Sequence, residues 1–219
     1  MAKPLARLTP NKCIFLICDV QERFRTAIHG FNNVVVGSRR MLAASKELKI
    51  PTIVTEQYPK GLLKTVEELD LAGENAHAEV FEKTCFTMLC PDVKERLAAL
   101  DFTDVIIMGI EAHVCVQQTT LDLIEQGRNV HLCVDAVSSS TPTDRACGLH
   151  RAECATRPCP AGPAFPGLPK RRPSTPPHLK HCDPLPPVGF ALTKVRTVHL
   201  QSHNCCSGLR CTTAMPWRF

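Results

Sequence analysis

Acidic residues all but vanish from the last third of this chain. Of its 21 Asp and Glu, only Glu153 and Asp183 lie after residue 150, beside 10 Lys and Arg. Residues 1–150 carry 16 basic and 19 acidic side chains, so the formal net charge of +5 belongs to the tail. A basic balance confined to one segment gives no evidence of a nucleic-acid-binding domain, and none is expected. Long apolar runs are also missing. Cys13-Ile14-Phe15-Leu16-Ile17-Cys18 is too short for a membrane span or a signal-peptide core, so neither membrane insertion nor a secretory leader is expected. None of the 13 cysteines forms a C-x2-C pair, which removes ribbon and finger spacings. His29, His77, His113 and His131 make no H-x-H or i, i+4 pairing, and no internal repeat is found. The seven cysteines of residues 1–150 are therefore expected as reduced thiols in a cytoplasmic setting, with peroxisome or mitochondrion left open.

What is present alternates between strand and helix. Residues 13–18 read as a central buried strand ending at Asp19. Val34, Met41 and Leu48, with Val35 and Leu42, make one apolar helical face over residues 33–48. Pro51–Thr55 is a second strand, residues 60–75 a polar loop with a short helix, and Glu79–Phe81 a third strand ending near Lys83. Pro91 opens a helix reaching Leu100. Asp104–Gly109 is a fourth strand, residues 114–126 a helix closed by Gly127, and Asn129–Asp135 a fifth strand. Another helix begins near Asp144. The pattern predicts an α/β domain over residues 10–150, a doubly wound parallel sheet between two helical layers in a three-layer αβα, Rossmann-like arrangement.

In such sheets chemistry gathers beyond the carboxyl ends of the strands, where strand order reverses. Asp19, Lys83 and Cys115 fall at three such ends. A cysteine in the first turn of a helix has unpaired backbone N–H groups and a positive dipole end beside it, which favour a thiolate. Asp19 can take the thiol proton and return it to a leaving group. Lys83 can hold both anions and favour their charged forms. Cys13, Cys18, Cys85, Cys90, Cys133 and Cys147 read as small core hydrophobes.

Four ordered motifs resemble the isochorismatase-like cysteine hydrolases, and in particular their eukaryotic domain-containing members. They are Cys18-Asp-Val-Gln-Glu22, Glu56-Gln-Tyr-Pro-Lys60, Glu82-Lys-Thr-Cys-Phe-Thr-Met88 and Gly109-Ile-Glu-Ala-His-Val-Cys-Val-Gln-Gln-Thr119. The resemblance runs from about residue 10 to about residue 150. It implies a catalytic triad of Asp19, Lys83 and Cys115, and an oxyanion hole from the backbone N–H groups of Glu111 and Cys115. It also implies a cis peptide at Ile110–Glu111, a sheet order of 3-2-1-4-5-6, and a homo-oligomer. Gln21, Phe24, Tyr58 and His113 are expected at the pocket. Glu56-Gln57-Tyr58 departs from the metal-binding relatives, so no metal or other cofactor and no nicotinamidase activity are expected. Isochorismate hydrolysis is not expected of a eukaryotic-type member, because the sequence does not show that pathway.

The resemblance stops where Ala152 onward becomes rich in proline; 12 of the 18 prolines follow residue 150. Such density breaks helix and strand patterns, so residues 151–219 are expected as a disordered basic tail, with Phe190–Leu200 its one modestly apolar stretch. The sixth edge strand is expected to be missing, which would bare the flank of strand five, lower stability and weaken oligomerisation. Lys170-Arg171-Arg172 is a weak basic patch, and Cys205, Cys206, Cys211, His199 and His203 lack zinc-site spacing. Two functions fit: a cysteine hydrolase acting on a small molecule, and a non-catalytic isoform or paralogue that acts as a binding protein, inactive because the C-terminal part of its fold is replaced.

Overall fold

The computed structural model describes residues 8–155 and the backbone of residues 195–198. β1 (Cys13–Cys18) is buried along its whole length. Alternate side chains take opposite faces: Ile14, Leu16 and Cys18 enter one apolar cluster, Cys13, Phe15 and Ile17 the other. A strand covered on both faces needs such an unbroken run. α1 (Phe31–Leu48) lays Val34, Val35 and Leu42 on the second cluster, with Met41 and Leu48 at its margin. β2 (Thr52–Gln57) pairs with β1, and after the single-turn helix α2 (Pro59–Leu62), β3 (Glu79–Lys83) pairs with β2. α3 (Pro91–Ala98) starts on a proline, tolerated where an N–H has no helical partner. β4 (Asp104–Gly109) lies against the other flank of β1. α4 (Cys115–Glu125) is followed by Gly127 at φ 77°, the left-handed conformation that glycine adopts cheaply after a helix. β5 (Asn129–Val137) pairs with β4.

α5 (Pro142–Cys154) has a built start. Thr141 Oγ1 accepts from the Asp144 backbone N–H at 3.0 Å and donates to the Asp144 carboxylate at 2.6 Å, satisfying one orphan donor of the first turn. α3, α4 and α5 contribute Val93, Leu97, Val116, Leu123 and Ala152 to the first cluster, opposite α1. The sheet thus lies between two helical layers. Every strand pairing is parallel, in the order β3-β2-β1-β4-β5-β6.

The order 3-2-1-4-5 and the layered architecture agree with the sequence reading; the sheet's edge does not. β6 (Val195–Val198) pairs in parallel with β5, from Val130 opposite Val195 to Cys133 opposite Val198. The strand expected to be missing is supplied by the modestly apolar stretch at 190–200, and it covers the flank of β5 over four residues. α5 runs through residue 150 to Cys154. Nothing between Pro142 and Pro158 breaks a helix as proline does. The expected disorder of the tail, its basic patch at 170–172 and its Cys and His residues at 199–211 lie outside the described residues. Among the described residues, no helix is long and apolar enough to cross a membrane.

Candidate active site

Strands β1 and β3 deliver Asp19 and Lys83, with β2 between them. Asp19 follows β1 at φ 51°, and its N–H donates to the Thr55 carbonyl of β2 at 3.1 Å. Thr55 Oγ1 donates to Asp19 Oδ1 at 2.8 Å. Lys83 is the last residue of β3, and Cys115 opens α4. The turn between β4 and Cys115 is fixed closely. Gly109 has φ 114°, and a Cβ there would lie 2.1 Å from the Cys18 carbonyl oxygen, so only glycine lets the two backbones meet. The Ile110–Glu111 peptide is cis, as the family resemblance implies. Ile110 donates to Cys18 O at 2.9 Å, Ala112 to Ser138 O at 2.8 Å, and Val114 and Val116 both to Glu111 O at 3.1 Å. Among the described residues, the N–H groups of Glu111 and Cys115 have no backbone carbonyl acceptor. α5 backs this turn: a Cβ on Gly148 would lie 2.4 Å from Ala112 O.

The Lys83 ammonium ties the cluster together. Nζ lies 2.7 Å from Asp19 Oδ2 and 3.7 Å from Cys115 Sγ. It also donates to Gln57 Oε1 at 2.6 Å and to the carbonyls of Phe86 and Cys85 at 3.1 and 3.2 Å. The Lys83 and Asp19 side chains are 0% and 2% exposed, so solvent does little to screen them. Burial pushes the Asp19 carboxyl up from its ordinary range, outweighing Lys83, Thr55 and Cys115, which all favour the carboxylate. The sequence reading had Lys83 favouring the charged carboxylate; desolvation wins at Asp19. Burial also opposes the charge on Lys83, but Cys18, Asp19 and Cys115 together hold its pKa above the usual value.

The remaining cysteines sort by environment. Burial, then contact with Cys115 and Asp19, pushes the Cys18 thiol well up. Burial and Asp104 raise Cys13 to about 11, and burial and Asp135 raise Cys133 to about 12. These stay protonated at neutral pH. Cys85 and Cys147 are exposed and do not fit the expected role as core hydrophobes. A ligand atom each of Cys18, Asp19 and Cys115 lie within 4.8 Å of one another, close enough to share a cation. The Lys83 ammonium already rests against two of these three.

A cleft of about 610 Å³ opens over Cys115 and Asp19. Phe24 and Tyr58 line it, together with Leu62, Phe86, Ile110 and Val114. Gln21 and His113 do not line it. Gln21 is fully buried behind it: Nε2 donates to the carbonyls of Leu63 and Gln57 at 2.6 and 3.0 Å, and Oε1 accepts from Gln57 N–H at 2.8 Å. It therefore holds Gln57, which accepts from Lys83. His113 turns toward the end of β5, its Nδ1 3.0 Å from Ser139 Oγ. Gln57 itself was missed, although a strand lying between those of Asp19 and Lys83 in the order 3-2-1 had to end beside both. Phe86 lies within the motif at 82–88 but was not singled out, and Leu62, in the single-turn helix α2, carried no motif or periodic pattern.

The comparisons with known proteins agree with this geometry. Residues 13–159 match the isochorismatase domain. The chain is 45% identical over 148 residues to isochorismatase domain-containing protein 1 of Danio rerio, an alignment covering 67% of this chain and 51% of that protein. The chain thus spans about half the length of that relative. It is 45% identical over 152 residues to isochorismatase family protein 1A of Dictyostelium discoideum, covering 68% of this chain and 74% of the relative. Among solved structures, one described as the MAR1 ribonuclease of Caenorhabditis elegans superposes with a TM-score of 0.64 at 47% identity, covering 68% of this chain and 77% of that one. The parallel sheet, the clustered strand ends and these matches together establish that the chain belongs to the isochorismatase family.

Proposed function

We propose that this chain is a cysteine hydrolase that cleaves a small carbonyl compound, with Cys115 as nucleophile, Asp19 as proton carrier and Lys83 as the cation that holds both. The observation that carries this reading is the position of Lys83 Nζ, 2.7 Å from Asp19 and 3.7 Å from Cys115 beneath an open cleft. The Cys115 thiol passes its proton to the Asp19 carboxylate, and its sulfur adds to the substrate carbonyl carbon. The carbonyl π pair moves to oxygen, where the free N–H groups of Glu111 and Cys115 receive the oxyanion. As the carbonyl re-forms, the bond to the leaving group breaks, and the Asp19 proton goes to that group. Water then adds to the thioester, losing a proton to Asp19; the carbonyl re-forms as the C–S bond breaks, and Asp19 passes that proton to the departing sulfur, restoring the thiol and the carboxylate. The raised pKa of Asp19 suits this exchange, since a carboxyl that holds a proton less reluctantly can both take and return one.

Turnover of a panel of small amides and esters tests this, comparing wild type with Cys115→Ser and Asp19→Asn. Hydrolysis by wild type and a loss of at least ~100-fold in both variants are expected; variants as active as wild type would overturn the roles. A second reading, ribonuclease action, follows from the description of the nematode structure. The cleft favours it less: its wall carries Asp19, Glu111, the neutral polar Gln57 and Thr84, and mostly apolar side chains, whereas a phosphodiester calls for cations. Incubation with single-stranded RNA separates the two readings.

A further inference from the structure

We infer that the substrate is an uncharged carbonyl compound whose non-reacting end is an aryl or branched alkyl group. This rests on the reading of Cys115 as nucleophile and adds what the cleft selects. Its walls come from separate parts of the chain: Phe24 after β1, Tyr58 and Leu62 around α2, Phe86 after β3, and Ile110 and Val114 before α4. Three aromatic rings from three segments therefore converge on one thiol. Tyr58 and Phe86 remain 53% and 63% exposed. Large apolar side chains held in water at the mouth of a cleft mark a surface that a ligand covers.

The charges present argue the same way. Asp19 and Glu111 are the acids on the wall. Glu111 Oε2 accepts from Ser140 N–H and Oγ at 3.0 Å each, and His113 Nδ1 stands 3.9 Å from it. The Lys83 ammonium is surrounded by Asp19, Gln57, Cys115 and two carbonyls. A substrate carboxylate entering here would leave water for apolar walls and meet two acids. Isochorismate, which carries two carboxylates, fits poorly; a neutral aryl or branched-alkyl amide or ester fits well.

The test reads alkylation of Cys115 rather than turnover. The full-length chain is treated with limiting iodoacetamide, N-benzyl iodoacetamide or iodoacetate, and modified peptides are counted by mass spectrometry. The exposed Cys147 serves as internal reference, so that the intrinsic reactivity of each reagent cancels. The ratio of Cys115 to Cys147 labelling is expected to be at least ~10-fold higher for the benzyl amide than for iodoacetamide, and lowest for iodoacetate. Phe86→Ala is expected to reduce the benzyl advantage at least ~3-fold, since Phe86 supplies one side of the apolar mouth. A ratio for iodoacetate equal to or above that for the neutral reagents would overturn the inference, as would a benzyl advantage unchanged in Phe86→Ala. The expected labelling without any turnover of amides would uphold the cleft's selectivity and defeat the hydrolase reading, so the two fail separately.

Discussion

Replacing Lys83 with methionine removes the one cation from a buried cluster while keeping an unbranched side chain in its space. At an effective dielectric constant of about 20, unit charges 2.7 Å apart attract by about 6 kcal/mol. Desolvation offsets much of that attraction, and breaking a buried pair by removing one partner costs about 3–5 kcal/mol. Three acceptors lose their donor as well: Gln57 Oε1 and the carbonyls of Cys85 and Phe86. Asp19 has an escape, because it can take a proton. Its pKa is already raised by burial, and losing Lys83 raises it further. A carboxyl with a raised folded pKa keeps its contribution to stability below its unfolded value of about 3.9 and loses it as pH rises through the folded value. The deficit of Lys83→Met must therefore grow with pH. We expect a loss of about 3–5 kcal/mol near pH 7.5, falling to about 1–2 kcal/mol near pH 5, where the remainder reflects the unsatisfied acceptors. Urea unfolding followed by far-UV circular dichroism at both pH values measures this. Adding Asp19→Asn should recover about 1–3 kcal/mol at pH 7.5, because no buried charge is then left alone. An equal loss at both pH values would refute the role assigned to the Asp19 charge. A loss under about 1 kcal/mol at pH 7.5 would refute the buried pair itself.

Thr55→Val removes the hydroxyl that donates to Asp19 Oδ1; the carboxylate loses a stabilising donor, its pKa rises, and the acid limb of kcat/KM on a cleaved amide should move to higher pH, as a pH–rate profile would show. Gly148→Ala places a Cβ against the backbone of Ala112 and His113, so it should cost about 1–3 kcal/mol by overpacking. Unlike a surface substitution, it should also slow Cys115 alkylation, since it displaces the turn that carries the thiol. Truncation after Ala155 removes β6 and bares the flank of β5; light scattering should report aggregation at lower temperature than for the full chain.

The grouping of Asp19, Lys83 and Cys115 was legible in the sequence because each residue ends or begins an element whose type its neighbours dictate. An apolar run stops at Asp19, a short strand stops at Lys83, and a buried strand and tight turn precede Cys115. In a doubly wound sheet those ends share one edge, and the four motifs narrowed that edge to a family. Support around these three residues was less visible. Gln57 accepts from a lysine 26 residues away, and Gln21 anchors Gln57 across 36. No periodicity encodes such contacts, which arise only when crossovers bring loops together. The direction of the Gln21 and His113 side chains has the same origin: it is set by Gln57 and Leu63 in one case and by Ser139 in the other.

The sheet's edge went further from expectation. Proline density spoke against a sixth strand, yet parallel pairing needs only a short extended segment next to an open edge, and residues 195–198 provide it. What the sequence determined by itself was the alternation of elements, the placement of Asp19, Lys83 and Cys115 at neighbouring element ends, and the family, all of which follow from local pattern. Only the tertiary structure decided that burial outweighs Lys83 at Asp19, that three distant aromatics wall one cleft, and that β5 has a neighbour. Each of these depends on which surfaces are removed from water together, a property of the packed chain and of no single segment.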